Sequence, residues 1–145
     1  MRYIPKPSSV MEMVLPGNPS RVTHQQKGAA IQNGHIHYYT KKKVQDSKDE
    51  LAAKLFKYIP KEPFDGPLQV FITWKFETKT KKQQRTPKTT KPDLDNLSKA
   101  LLDVMTDLGF WKDDALISSL ILRKGWVAPG EGQIVIVIQE LEVET

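Results

Sequence analysis

Residues 91–114 read KPDLDNLSKALLDVMTDLGFWKDD. Within them Leu97, Leu101, Val104, Met105 and Leu108 recur at offsets of four, seven, eight and eleven, one apolar stripe of an amphipathic helix. Pro92 disfavours the helical region for Lys91, so the chain arrives extended, and Asp93, Asp95 and Asn96 offer side-chain acceptors to the first helical amides. Gly109 supplies the stop. Asp95, Lys99 and Asp103 then share one helix face at i, i+4 and i+8, with Asp93 just upstream. A helix of about fourteen residues is roughly 20 Å long. Asp114 therefore rejoins Asp93 and Asp95 only if the chain turns back along the helix, as sheet pairing would make it do. Three carboxylates would then meet with no His or Cys beside them, and hard oxygen donors of that kind suit Mg²⁺ or Mn²⁺ rather than zinc.

Outward from this stretch, residues 116–126 and 133–141 read as two strands joined by an Ala128–Gly132 turn. Upstream, Leu68 to Phe76 puts Val70, Ile72, Trp74 and Phe76 on one side, the alternation of a half-buried strand. Glu77 to Thr90 is a long connection, of the kind that is either functional or disordered. Val44, Leu51, Leu55, Phe56 and Ile59 have helical spacing, which Pro60 ends. Before them, HIHYYT at 35–40 suggests a short hairpin arm, Ser20 to Gly34 a polar loop, and Val10 to Leu15 a strand stopped by Pro16, Gly17 and Pro19. The expectation is a loose segment at 1–9 and one small α+β domain at 10–145, with a mixed sheet, two main helices and the order β-α-β-α-β-β.

The length of 145 residues suits one domain with its own core. No cysteine is present, which excludes thiol chemistry, zinc-thiolate sites and disulfides. The start has prolines and a glutamate where a signal peptide needs an apolar run, and no segment nears membrane-spanning length, so a soluble cytoplasmic protein is expected. Net charge is +5, compatible with an anionic partner such as nucleic acid. Its distribution says more. Lys75, Lys79, Lys81, Lys82, Arg85, Lys88 and Lys91 lead into the carboxylates with only Glu77 among them. These basic residues, with Arg21 and Lys27 in the earlier loop, are candidate phosphate contacts, which would make binding salt-dependent without reading sequence. His24, His35 and His37 lack a metal-binding partner cluster.

With D-L-D-N-L-x-K at 93–99 and G-F-W-x-D-D at 109–114, the stretch resembles the RusA-like Holliday junction resolvases. A weaker likeness extends from VLPGNPSR at 14–21 to the last strand near Leu141. The family's essential acidic residues fall on Asp93, Asp95 and Asp114 and its essential lysine on Lys99, while Asp113 and Asp103 match further family positions. The resemblance implies a homodimeric endodeoxyribonuclease that resolves four-way junctions in recombination and repair and is often encoded by prophages. It implies Mg²⁺ as cofactor, with Mn²⁺ able to substitute, and no nucleotide cofactor. The lengthened amino terminus and the run TKTKKQQRTPKTTK at 78–91 depart from the family pattern.

Carboxylates suit this chemistry because phosphodiester cleavage needs an activated water, a neutralised phosphate and a stabilised leaving alkoxide, all of which Mg²⁺ serves. Asp93, Asp95 and Asp114, aided by Asp113, would hold the metal, and Lys99 would face the phosphate. The plainer readings are that Asp93 and Asp95 cap a helix, that Asp113–Asp114 is a solvated turn, and that Lys99 forms an i, i+4 pair worth about 0.2–0.5 kcal/mol. Trp74, Trp111 and Trp126 suit core or rim positions, with Phe110 or Trp111 a candidate wedge at a branch point. Two rivals stand beside the resolvase: a nuclease for flaps or forks, and a basic DNA-binding module without catalysis.

Overall fold

The computed structural model describes residues 1–23 and 34–143, for 34–40 the backbone alone. The elements in order are β1 (Pro5–Pro16), α1 (Gly34–Leu55), β2 (Leu68–Glu77), α2 (Leu94–Leu108), β3 (Ile117–Val127) and β4 (Gln133–Leu141). They form a mixed four-stranded sheet in the order β1-β4-β2-β3, with β2 parallel to β3 and antiparallel to β4. Among the described residues no helix is long and apolar enough to cross a membrane.

The alternation of β2 decides which face is buried. Leu68, Val70, Ile72, Trp74 and Phe76 are buried, and the register sets Ile138, Ile136 and Ile134 of β4 beside Val70, Ile72 and Trp74. The α2 stripe of Leu97, Leu101, Val104 and Met105 joins this core, as does Leu55 of α1. Burying each such side chain contributes about 1.5–3 kcal/mol. The opposite sheet face, with Phe71, Val135 and Val137, is only half-buried.

Several local expectations change. β1 begins at Pro5, not at Val10, because prolines are tolerated on an edge strand and the register shift between Pro5 and Val10 is held by Gln139, whose Nε2 donates to Lys6 O (2.8 Å) and Ser9 O (3.0 Å). The hairpin arm expected at 35–40 is helix, the first turns of α1. That helix ends at Leu55 in a short 3₁₀ turn (Phe56–Tyr58), and Phe56, about a quarter turn round from fully buried Leu55, falls outside the apolar stripe and is exposed. The last two strands are not neighbours. The Ala128–Gly132 connection crosses the end of β2, clamped where Glu77 Oε2 accepts from Gly132 N (3.1 Å).

The 77–90 connection is ordered by pairing. Arg85 N donates to Trp126 O (2.7 Å), Trp126 N to Thr86 O (2.9 Å) and Lys88 N to Lys124 O (3.2 Å), so residues 85–88 lie along β3, with an isolated β-bridge between Pro87 and Gly125. The basic run is thereby fixed at one end of the sheet.

Candidate active site

The N-terminus of α2 is set by β3. Lys124 sits at a core-facing position of that strand, opposite Trp74, and its Nζ donates to Thr90 O (2.7 Å) and Pro92 O (2.8 Å). The two residues' carbonyls are thus fixed just ahead of Asp93. Asp93 occupies the N-cap position with extended backbone, yet its side chain makes no cap hydrogen bond. It lies instead 3.6 Å from Lys91 Nζ. Asp95 and Lys99, both exposed, make no side-chain hydrogen bond or ion pair with any described residue. The capping reading therefore fails for both carboxylates, which remain available to a ligand.

The C-terminal end of α2 holds a second acidic group. Gly109 has φ 87°, and its N–H reaches Thr106 O (3.1 Å) while Phe110 N reaches Met105 O (3.1 Å), a Schellman closure. Phe110 and Trp111 then turn into the core, where Trp111 Nε1 donates to Thr106 Oγ1 (2.8 Å). Neither is placed to wedge into DNA. Phe64 N donates to Phe110 O and Lys112 N to Phe64 O (3.0 Å each), which pins the chain just before Asp113. Asp113 Oδ1 accepts from Ala115 N (2.9 Å), capping a 3₁₀ turn (Asp114–Leu116). Asp114, although exposed, is shifted upward from the ordinary carboxylate value by slight desolvation first, then by its hydrogen bond with Asp113 and by the charges of Asp113 and Asp103.

The acidic residues are therefore divided. Asp103, not Asp93 or Asp95, is the helix carboxylate that acts on Asp114, and eight helical residues separate Asp95 from Asp103 by about 12 Å. Among the described residues, no three His, Cys, Asp or Glu side chains gather closely enough to hold a metal ion. The chain does turn back along α2, since β3 starts near its far end and Lys124 reaches its near end. Among the described residues it does not bring Asp93, Asp95 and Asp114 into one metal-holding cluster.

Of the basic residues, Arg85, Lys88 and Lys91 lie near the α2 N-terminus, and Arg21 stacks over Trp126 (5.8 Å to the ring centroid). Lys79, Lys81 and Lys82 are exposed on the outer turn of the connection. Lys27 lies outside the described residues. Sequence reasoning missed Lys124 and Arg123. The signal for Lys124 was a charge at a core-facing position, in line with Leu122 and Trp126.

The family model described as Endodeoxyribonuclease RusA matches residues 16–139 of this chain. The chain belongs to the RusA endodeoxyribonuclease family. The match runs from the end of β1 to β4 and so takes in both acidic groups and the basic connection. Among curated relatives, the crossover junction endodeoxyribonuclease rusA of Lactococcus phage r1t is 38% identical over 104 residues, covering 70% of this chain and 78% of that relative. Within the RusA family frame, the α+β architecture with its mixed sheet and two helices is the fold expected from the sequence.

Proposed function

We propose that the chain is a Mg²⁺-dependent, structure-selective endodeoxyribonuclease that resolves four-way DNA junctions by paired nicks in opposed strands, as a homodimer acting in recombination and repair. The observation that carries this reading is a RusA-family chain whose Asp93 and Asp95 head a helix without capping it, beside an uncommitted Lys99 and a basic groove. Donor chemistry agrees. Every candidate ligand is a carboxylate, and Mg²⁺ commonly takes only one or two of these and completes its shell with water and substrate oxygens. Asp93 with Asp95 would form one such pair, and Asp114 with Asp113 another. The raised Asp114 supports this, because crowded carboxylates are relieved by a cation.

When bound, Mg²⁺ neutralises the scissile phosphate and lowers the pKa of water. The chain's own residues supply the rest. Lys99, one helical turn beyond Asp95 on the same face, offers its side-chain nitrogen to charge that develops on the phosphoryl oxygens. The backbone contacts of the basic connection hold the strand by shape and charge rather than by base sequence. A junction has approximate two-fold symmetry, which a two-fold dimer matches with two sites in fixed relation.

The test is cleavage of four-way, three-way, flap and linear DNA at one salt concentration with Mg²⁺. The four-way junction should be cut best, in symmetric pairs. Asp93→Asn, Asp95→Asn and Asp114→Asn should each abolish cutting while junction binding persists or tightens. Full activity in one of them removes that residue from the site, and preferred cutting of flaps moves the substrate to that class.

A further inference from the structure

Lys124 stands apart from its neighbours on β3. It is half-buried on the core-facing side of the strand, in line with Leu122 and Trp126 and opposite Trp74. An apolar residue would occupy that place at no electrostatic cost, and proteins depart from such local rules chiefly at functional sites. The two oxygens that its Nζ reaches, Thr90 O at 2.7 Å and Pro92 O at 2.8 Å, belong to main chain outside any helix or strand. Among the described residues no backbone N–H donates to either. The lysine thus supplies donors that the main chain there lacks.

Those carbonyls decide how Asp93 enters α2. Pro92, itself buried, gives its carbonyl to Lys124, which fixes the peptide plane ahead of Asp93. Asp93 O accepts from Leu97 N (3.0 Å), which fixes the plane after it. The Cα–Cβ direction of Asp93 follows from the two planes, while its carboxylate makes no cap hydrogen bond. Asp95, in the first turn, inherits the same frame. A second lysine braces the segment. Lys88, with only 3% of the residue exposed, donates from Nζ to Thr90 Oγ1 (2.6 Å) and from its backbone N to Lys124 O (3.2 Å). Thr90 is therefore gripped twice, by its hydroxyl and by its carbonyl.

We propose that Lys124 is a positioning residue for cleavage. Acting through the carbonyls of Thr90 and Pro92, with Lys88 bracing Thr90, it fixes the direction in which Asp93 and Asp95 present their carboxylates. The inference rests on the nuclease reading for the reaction it serves, and the test tells the two apart. Lys124→Met keeps the stem and removes the tether. At saturating junction its kcat should fall about a hundredfold, the effect of a misplacement near 1 Å. The Mg²⁺ concentration for half-maximal rate should rise about tenfold. Junction affinity in EDTA and its salt slope should stay within about twofold, since an ammonium spent on main-chain carbonyls holds no phosphate. Lys124→Arg, which restores donors, should return kcat to within about tenfold of the wild type. Leu122→Ala, which weakens the same strand face, should lower the Tm yet keep kcat within about threefold. In the DNA-free protein Mn²⁺ should broaden the Asp95 and Asn96 amide resonances, and Lys124→Met should need about tenfold more of it. A wild-type kcat and Mg²⁺ dependence in Lys124→Met overturns the proposal, as does a junction salt slope reduced by about 1, the mark of a phosphate contact. Should Lys124→Met fail to fold, Thr90→Val decides in its place, because it removes the hydroxyl that Lys88 grips at an exposed position. Its kcat should fall about tenfold at unchanged affinity, and an unchanged kcat overturns the tether. A wild type that binds junctions but never cuts them removes the nuclease reading alone. The tether is then judged by Mn²⁺ broadening, and an equal Mn²⁺ requirement in wild type and Lys124→Met overturns it.

Discussion

At the scale of single residues the molecule sets charge against burial at Lys88, and stability should record the conflict. Desolvation first, and then Arg21 and Lys124, disfavour its protonated form in the fold, so its folded pKa lies below the unfolded value of 10.5. Below the folded pKa both states carry the proton and the native state bears the full penalty. Between the folded value and 10.5 the unfolded chain binds more protons than the native one, so stability rises with pH across that window. Lys88→Met, which keeps the stem and removes the charge, should therefore stabilise the protein by about 1 kcal/mol at neutral pH. The gain should fade as pH approaches 10.5. Urea titrations of both proteins at several pH values check the sign, and a loss of stability at neutral pH would show that Thr90 Oγ1, which accepts from Lys88 Nζ (2.6 Å), and the Trp126 and Phe76 rings, with centroids 4.1 and 5.3 Å away, fully compensate the ammonium. Asp93 and Asp95 are exposed and free of that conflict: one at the N-cap and one in the first turn of α2, neither engages a helical amide with its carboxylate.

At the scale of elements, α2 was legible because its information is local. The apolar offsets from Leu97 to Leu108 name the buried face, and Gly109 names the end, since φ 87° is costly for other residues. Gly109→Ala should cost about 1–2 kcal/mol, all of it backbone, because an added Cβ meets nothing within 4 Å. Gly109→Asn should cost less, as asparagine tolerates that region better. Denaturation midpoints of the two variants measure the difference, and equal costs would point to a lost contact instead. The strand β2 was legible for the same reason. What the sequence hid is set by partners far along the chain. Nothing in 133–141 says that β4 inserts between β1 and β2 instead of pairing with β3, and nothing in 77–90 shows that its far end pairs with 124–126. The acidic pattern was legible as chemistry but not as geometry, because the distance from Asp114 to Asp93 depends on where β3 starts along α2. That start is set by the pairing of Ile117 with Leu68 and by the anchoring of residues 110–112 on Phe64.

At the scale of the whole molecule, helices cover one face of the sheet and leave the other with a continuous apolar band. The register aligns Glu12, Val137, Phe71 and Ile121 across the four strands, and beside them Val14, Val135, Thr73 and Arg123. The band is bounded by an acid on β1 and a base on β3. A two-fold axis parallel to the strands would lay β1 of one copy over β3 of the other, bringing Glu12 towards the Arg123 side while the valines and Phe71 pack between the sheets. If the proposed dimer uses this face, Val137→Lys should disrupt it. The new lysine neighbours Glu12 across the β1–β4 ladder, so the monomer gains an opposite-charge pair and keeps its fold. In a dimer the same lysine would be buried against an apolar partner, at a cost of several kcal/mol. Sedimentation should then show a monomer with unchanged circular dichroism, and a junction should receive single, uncoupled nicks in place of paired ones. An intact dimer in Val137→Lys would place the interface elsewhere on the molecule, and a wild type that sediments as a monomer would remove the paired-nick mechanism altogether.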